Sequence, residues 1–131
     1  MTTPESITVS LEYAKKLKEA GWPQEAVWYW PVHYVNGHIF ALATETHPRS
    51  ENNALDYFAA PTAEEILQRL PEYVGTQFWS IIAEGHVRDG RKVMGYTIYY
   101  PTKHEEWSDT LANAAAAMYC HLAENGLLPT A

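Results

Sequence analysis

Two dipeptides that favour tight turns constrain the fold of this chain more than any other feature of its sequence. Asn36-Gly37 and Asp89-Gly90 are each flanked by runs rich in aromatic and β-branched residues. Such dipeptides suit type I′ turns, which join two antiparallel strands directly. Neighbouring parallel strands need a crossover of a dozen or more residues. The sequence therefore predicts antiparallel hairpins.

The first predicted hairpin joins residues 27–35 to residues 38–44. A two-residue turn at Asn36-Gly37 places Tyr34 opposite Ile39, and this register decides which side chains share a face. The predicted core face carries Trp28, Trp30, Val32, Tyr34, Ile39, Ala41 and Ala43. The opposite face carries Tyr29, Pro31, His33, Phe40 and Leu42. These side chains give it more apolar surface than a solvated sheet face needs, and the proline predicts an edge strand or a bulge.

The second predicted hairpin covers residues 78–100 around Asp89-Gly90. Its predicted buried face carries Trp79, Ile81, Ala83, Val87, Met94, Tyr96, Ile98 and Tyr100. Its reverse face carries polar side chains among apolar ones, including Glu84, His86, Thr97 and Tyr99. An acid–base pair can be built from Glu84 and His86, which share a strand face, and Gly95 allows close approach. A half-solvated sheet face is the simpler interpretation of the same residues.

Two helices are predicted from their caps. Ser10 can accept a hydrogen bond from an amide of the first turn, and Gly21 can adopt the left-handed conformation that ends a helix. The first helix is therefore expected from Leu11 to Ala20. A capping box, in which Thr62 and Glu65 each satisfy the other's backbone amide, opens the second helix.

The last helix has the clearest apolar stripe in the chain. The stripe consists of Leu111, Ala115, Met118 and Leu122, which recur at helical spacing. Ser108 or Asp109 can cap this helix, and Gly126 marks its end.

Together the elements predict a single α+β domain over residues 1–131, with residues 1–6 frayed. A short strand is expected at residues 55–59, after an exposed polar loop at residues 45–53. The predicted sheet is predominantly antiparallel and is built from the two hairpins and the short strand. Its three helices gather on one face, and the strand order stays open.

The charge balance argues against nucleic acid as a partner. The chain has 9 Lys and Arg against 16 Asp and Glu, a formal net charge of −7, and such a surface is repelled by phosphate backbones. The longest run without a polar residue, residues 114–120, is far shorter than the ~20 residues that span a membrane. One cysteine forms no internal disulfide, and residues 1–10 lack the pattern of a signal peptide. We therefore expect a soluble protein of the reducing cytoplasm.

The sequence contains no complete catalytic or metal-binding motif. His104-Glu105-Glu106 begins like a zinc-protease motif, but Ser108 stands where the second histidine is required. None of the six histidines forms an i,i+4 pair on a predicted helix. We therefore expect no metal and no cofactor. Cys120 is expected to behave as a small buried hydrophobe, the alternative being an exposed reactive thiol.

Three blocks of sequence resemble a pattern found in small bacteriophage and prophage proteins of unknown function. They are residues 9–17 (VSLEYAKKL) with Gly21 and Pro23-Gln24-Glu25, residues 60–67 (APTAEEIL), and residues 122–128 (LAENGLL). The blocks span nearly the whole chain, although each is also typical of a capped amphipathic helix. The resemblance implies a phage-related origin and a bacterial cytosol. It implies no reaction and no catalytic residue.

Several classes of function remain open. We expect a non-enzymatic protein-interaction module that binds a host or phage protein, or a second copy of itself, because apolar surface is present and catalytic motifs are absent. The expected interaction face consists of Tyr29, His33, Phe40 and Leu42. One alternative is a small hydrolase-type enzyme that uses the polar site of the second hairpin. Another is an acidic nucleic-acid mimic that inhibits a host protein, since residues 45–84 hold seven acidic residues against two arginines.

Overall fold

Residues that favour tight turns and helix caps organise the described part of the chain. The computed structural model describes residues 7–24, 28–33, 38–39, 43–44, 56–75, 77–101 and 104–128. The predicted loop at residues 45–53 and the predicted frayed terminus at residues 1–6 lie outside these residues. The elements are α1 (Leu11–Glu19), β1 (Trp28–His33), β2 (His38–Ile39), β3 (Ala43–Thr44), β4 (Asp56–Ala59), α2 (Ala63–Leu67), β5 (Tyr73–Val74), β6 (Gln77–Phe78), β7 (Ser80–Arg88), β8 (Arg91–Tyr100), β9 (His104–Ser108) and α3 (Leu111–Glu124).

The described strands form three antiparallel sheets. In the first, β1 pairs with β2 and β3 along one side and with β4 along the other. Strands β5 and β6 form a small second sheet, and the third has the order β7-β8-β9. The α+β class is therefore confirmed, although the two predicted hairpins belong to different sheets.

The second hairpin has the predicted register. Arg88 pairs with Arg91, and the pairing continues without interruption to Ser80 opposite Tyr99. Asp89 and Gly90 have φ angles of 49° and 74°, and a type I′ turn requires positive φ at both positions. The turn residues thus determine the alignment of a nine-residue ladder.

The first hairpin does not have the predicted register. Val32, not Tyr34, lies opposite Ile39, a shift of two residues from the pairing that a turn confined to Asn36-Gly37 would give. The turn itself lies outside the described residues. Further along, Tyr29 lies opposite Ala43, so Ala43 is not on the face of Trp28 as predicted.

Pro31 was predicted to mark an edge strand or a bulge. Strand β1 is paired along both sides, with β2 and β3 on one side and β4 on the other, so it is no edge strand. The carbonyl of Trp28 accepts a hydrogen bond from Ala60 on the β4 side at 2.8 Å. Because backbone groups alternate sides along a strand, the nitrogen of Pro31 faces the side of β2 and β3. Residues 40–42, where a bulge opposite Pro31 would lie, are outside the described residues.

The two predicted caps on α1 and α2 are confirmed. The Ser10 hydroxyl accepts from the amide of Tyr13 at 3.4 Å, and α1 ends before Gly21, which has a φ of 94°. The amide of Thr62 donates to the Glu65 carboxylate at 3.1 Å, and the amide of Glu65 donates to the Thr62 hydroxyl at 3.3 Å. These bonds satisfy amides that the first turn of a helix otherwise leaves unpaired.

The cap of α3 is Thr110, not Ser108 or Asp109. The Thr110 hydroxyl accepts from the amide of Asn113 at 3.2 Å, and Ser108 instead ends strand β9. The Asn113 side chain also accepts a hydrogen bond from the amide of Ser10 at 2.9 Å. One asparagine therefore connects the N-terminal ends of α1 and α3.

Helix α3 lies at the centre of the core and contacts α1, α2, β8 and β9. It is buried on several sides, as its small side chains allow; its buried residues are Ala112, Ala114, Ala115, Ala116, Met118, Tyr119 and Leu122. Trp22 packs edge-to-face on Tyr119, and the hydroxyl of Tyr100 donates to the carbonyl of Pro71 at 2.6 Å. No helix in the described ranges has the length and apolar character needed to span a membrane.

The capping box at α2 gives a direct test of this fold. Thr62→Ala should lower the free energy of unfolding by about 1 kcal/mol, because the amide of Glu65 loses its acceptor. Thr62→Ser keeps the hydroxyl and should change stability little. Urea denaturation of the three proteins measures the difference. Equal losses for both variants would show that the hydroxyl does not stabilise the helix.

Candidate functional site

Of the four residues of the predicted interaction face, the structure describes the side chain of Tyr29 alone, and Tyr29 is buried. Tyr29 is only 5% exposed and belongs to the core, and its hydroxyl donates to the carbonyl of Gln24 at 3.2 Å. Gln24 in turn accepts from the amide of Ala59 through its side-chain oxygen, so this end of β1 is bonded to its surroundings. The expected exposure of Tyr29 is therefore wrong. The side chains of His33, Phe40 and Leu42 lie outside the described residues.

The polar residues of the second hairpin do come together. The carboxylate of Glu84 accepts a hydrogen bond from the Thr97 hydroxyl and lies 3.3 Å from Nε2 of His86. The bond from Thr97, followed by that from His86, lowers the pKa of Glu84 below its usual value. Tyr99 shares this face and lies opposite Ser80. The arrangement holds Glu84 as an ionised, oriented hydrogen-bond acceptor.

Trp107 completes this network. Its ring stacks on His86 with centroids 4.3 Å apart, and the guanidinium of Arg88 lies 4.8 Å from the ring centroid. Its indole nitrogen donates to the carbonyl of Glu84 at 3.2 Å. These contacts restrict the motion of His86 and Arg88 on one face of the hairpin. The side chains of this network are together called the polar ladder; they are Glu84, His86, Arg88, Thr97 and Trp107.

Trp107 was not predicted as part of this site, because strand β9 was not predicted from the sequence. Polar residues dominate residues 104–108, so no alternation of apolar and polar positions is visible. One signal was present at Gly95, where a Cβ atom would lie 2.2 Å from the carbonyl oxygen of Ser108 and 2.7 Å from the Trp107 ring. A glycine inside a strand often marks such a close backbone approach.

The opposite face of the hairpin is buried at one end only. Ile98 and Tyr100 are buried as predicted, but Val87 is 74% exposed and Met94 is 60% exposed. Strand β9 reaches along β8 only as far as Tyr96, so the rest of the hairpin has two strands and extends past the core. The prediction of a fully buried face is therefore wrong at its distal end, where the exposed residues are Ala83, Val87, Met94 and Tyr96.

Strand β7 also has an open edge. It is the terminal strand of its sheet, and no described strand pairs with its outer side. Its nine residues contain no proline or lysine, and its ladder with β8 has no bulge. Proteins commonly use such features to prevent pairing with another chain. Within the part of the chain that the structure describes, the outer edge of β7 is therefore left open.

A cavity of about 610 Å³ lies between α1 and α3, with β9 contributing to its wall. Its polar lining includes Tyr13, Lys16, Glu106, Cys120, His121 and Glu124. Nδ1 of His121 lies 3.7 Å from the Glu106 carboxylate, and Nε2 of His121 lies 2.7 Å from Nδ1 of His104. These contacts form a Glu106–His121–His104 chain, in which only the two histidines are within hydrogen-bond distance of each other.

The same residues do not converge on a point that a metal ion could occupy. His104 and Glu106 lie beside different ring nitrogens of His121, whereas metal ligands must point at one centre. Among the described residues, no group of three or more His, Cys, Asp or Glu side chains has a metal-binding arrangement. The contact between His104 and His121 was not predicted, because it depends on β9.

Burial controls the ionisation of the cavity groups. It raises the pKa of Glu106, and nearby Glu124 and Glu105 add to this effect while His121 opposes it. Burial also raises the pKa of Cys120 to about 11. A carboxyl and a thiol in such surroundings favour their neutral forms.

The thiol of Cys120 should react slowly in the folded protein. A pKa of about 11 in place of 9.0 reduces the thiolate fraction at pH 7.5 roughly a hundredfold. Labelling with a chromogenic disulfide should therefore be about a hundred times slower in buffer than in denaturant. Equal rates would indicate an exposed, reactive thiol.

Glu106→Gln should stabilise the protein at neutral pH. Burial makes the folded state favour the protonated form of Glu106. The resulting contribution to the free energy of unfolding is present below the pKa of 4.5 of the unfolded chain, and it is lost as the pH rises through the raised pKa of Glu106 in the folded protein. We expect a gain of up to about 1 kcal/mol at pH 7.5, since the site is partly solvated, and little change below pH 4. Urea denaturation at both pH values tests this, with the exposed Glu72→Gln as control. A loss at pH 7.5 would mean that the ion pair with His121 outweighs burial.

No family model, curated protein or solved structure matches the chain. The exposed hairpin and the cavity are therefore the features from which a function can be inferred.

Proposed function

We propose that the chain is a non-enzymatic protein-interaction module that accepts a strand of another polypeptide along the outer edge of β7. The observation that carries the proposal is the coincidence of an open strand edge with an exposed apolar face on the same hairpin. Strand addition supplies main-chain hydrogen bonds, and side-chain contacts on the neighbouring faces supply specificity.

The apolar face supports this role by its position. Val87 and Met94 are 74% and 60% exposed on the part of the hairpin that extends past β9. Exposed apolar surface next to an open edge would be buried by an added strand, which favours association. The contact surface is thus different from the face containing Tyr29 that the sequence suggested.

The polar ladder favours binding over proton transfer. Glu84 accepts hydrogen bonds that lower the pKa of its carboxyl, so near neutral pH it is an ionised acceptor with a fixed orientation. His86 is held by stacking on Trp107. Groups fixed in this way can pair with charges on a partner without a large loss of side-chain entropy. A general acid, in contrast, needs a pKa close to the working pH.

The test compares Val87→Lys with Gln68→Lys. Each adds one positive charge at an exposed position, but Gln68 lies just after α2, away from the hairpin. Immobilised wild type and both variants are incubated with bacterial lysate that also contains untagged chain. Each bound protein is then purified and its affinity measured directly.

We expect a purified partner, the untagged chain included, whose Kd rises at least about tenfold with Val87→Lys and is unchanged with Gln68→Lys. Thermal melting should show that both variants fold. A partner that binds all three proteins equally, or the absence of any binding with purified components, contradicts the proposal.

A further inference from the structure

The backbone groups that β7 leaves open can be identified from its turn. In a hairpin closed by a two-residue turn, the residues that flank the turn, here Arg88 and Arg91, exchange hydrogen bonds. Bonding alternates along the strand, so the even-numbered residues of β7 face β8. The amides and carbonyls of Ala83, Gly85 and Val87 therefore point away from β8, towards the open edge.

A second copy of β7 can meet all three positions at once. With an antiparallel twofold axis at Gly85, Ala83 lies opposite Val87 of the second copy, and Gly85 lies opposite itself. Every outward amide in these three residues then has a carbonyl partner, which gives about six inter-chain hydrogen bonds. The edge of β7 is thus self-complementary in its hydrogen bonding, as the interface of a twofold dimer must be.

The charges of the polar face are compatible with this register. With the axis at Gly85, the carboxylate of Glu84 lies opposite His86 of the second copy, and this contact occurs twice. An axis at Glu84 would oppose two carboxylates. An axis at His86 would place Glu84 opposite Arg88, but it pairs only Gly85 and Val87 among the outward-facing residues of β7, which gives about four inter-chain hydrogen bonds in place of six. An axis at Ala83 or Val87 leaves Glu84 opposite no basic side chain.

The apolar face fits the same axis. Gly85 pairs with Met94 on β8, and a Cβ atom at Gly85 would lie 2.8 Å from Cε of Lys92 and 3.0 Å from the Met94 sulfur. The side chains of Lys92 and Met94 therefore both lie over the glycine, close to the axis. In the dimer the two methionines approach each other beside the aliphatic parts of the two lysines, flanked by Ala83 of one copy and Val87 of the other. The apolar parts of these exposed side chains are then buried against each other.

We infer that the strand accepted by β7 is β7 of a second copy of this chain, paired antiparallel about Gly85 to join two three-stranded sheets into one. The inference rests on the proposed function, because both use the same open edge. Only this alignment combines about six hydrogen bonds with the two Glu84–His86 contacts, and it also places Met94 beside the axis.

Mixed disulfide formation tests this alignment. Ala83→Cys and Val87→Cys are made separately in a Cys120→Ala background. Directly opposed residues of a hydrogen-bonded pair have Cα atoms about 5.5 Å apart, within the range of a disulfide. Two copies of the same variant place their cysteines about 13 Å apart along the ladder. Under mild oxidation, each variant alone should stay uncrosslinked and an equimolar mixture should form the heterodimeric disulfide.

A charge exchange tests the polar contacts independently. Sedimentation velocity should show a concentration-dependent species of twice 14.9 kDa for the wild type. Glu84→Lys should raise the dimer Kd at least about tenfold, because it removes the carboxylate from both Glu84–His86 contacts. The double variant Glu84→Lys/His86→Glu should restore most of the affinity by exchanging the charges. A double variant as weak as the single one overturns the register.

The outcomes separate this inference from the broader proposal. A chain that stays monomeric at high concentration, or whose Ala83→Cys variant crosslinks to itself, overturns the β7 dimer. If Val87→Lys nevertheless abolishes binding of a different purified protein, the strand-addition function stands with another partner. If neither self-association nor a Val87-dependent partner is found, both proposals fail.

Discussion

The close approach of β9 to Gly95 is the contact on which the shape of the hairpin depends. The absence of a side chain at Gly95 lets the Ser108 carbonyl and the Trp107 ring lie directly against β8. Ser108 ends β9 because Thr110 begins α3 two residues later. One glycine and one cap therefore decide where the sheet narrows from three strands to two.

Helix α3 connects this hairpin to the rest of the molecule. Its alanines allow β8, β9, α1 and α2 to approach the same helix, and its other surface forms a wall of the cavity. The Glu106–His121–His104 chain lies where β9 meets α3. The polar ladder and the cavity thus both depend on β9, which contributes Trp107 to the one and Glu106 to the other.

Local signals predicted local structure well. The Asp89-Gly90 turn and the Thr62–Glu65 box involve residues close in sequence, so propensity alone determines them. The register predicted from Asn36-Gly37 was wrong, since Val32 and not Tyr34 lies opposite Ile39, and β1 also pairs with β4, a distant contact that the turn residues do not encode. The strand β9, Trp107 and the histidine pair were missed because they depend on contacts between distant parts of the chain. Tyr29 was wrongly predicted to be exposed for a related reason. The alternation of side chains along a strand does not reveal which other elements cover each face of the sheet.

The hydrogen bond from Ser10 to Asn113 spans 103 residues and has a consequence for synthesis. Helix α1 leaves the ribosome long before its partner exists, by roughly 5–20 s at ordinary elongation rates. During that interval the buried side of α1, including Ala14 and Leu17, lacks the helix that covers it in the native state. Closure of such a long loop is entropically costly and slow, so native packing of the N-terminal segment must follow the synthesis of α3.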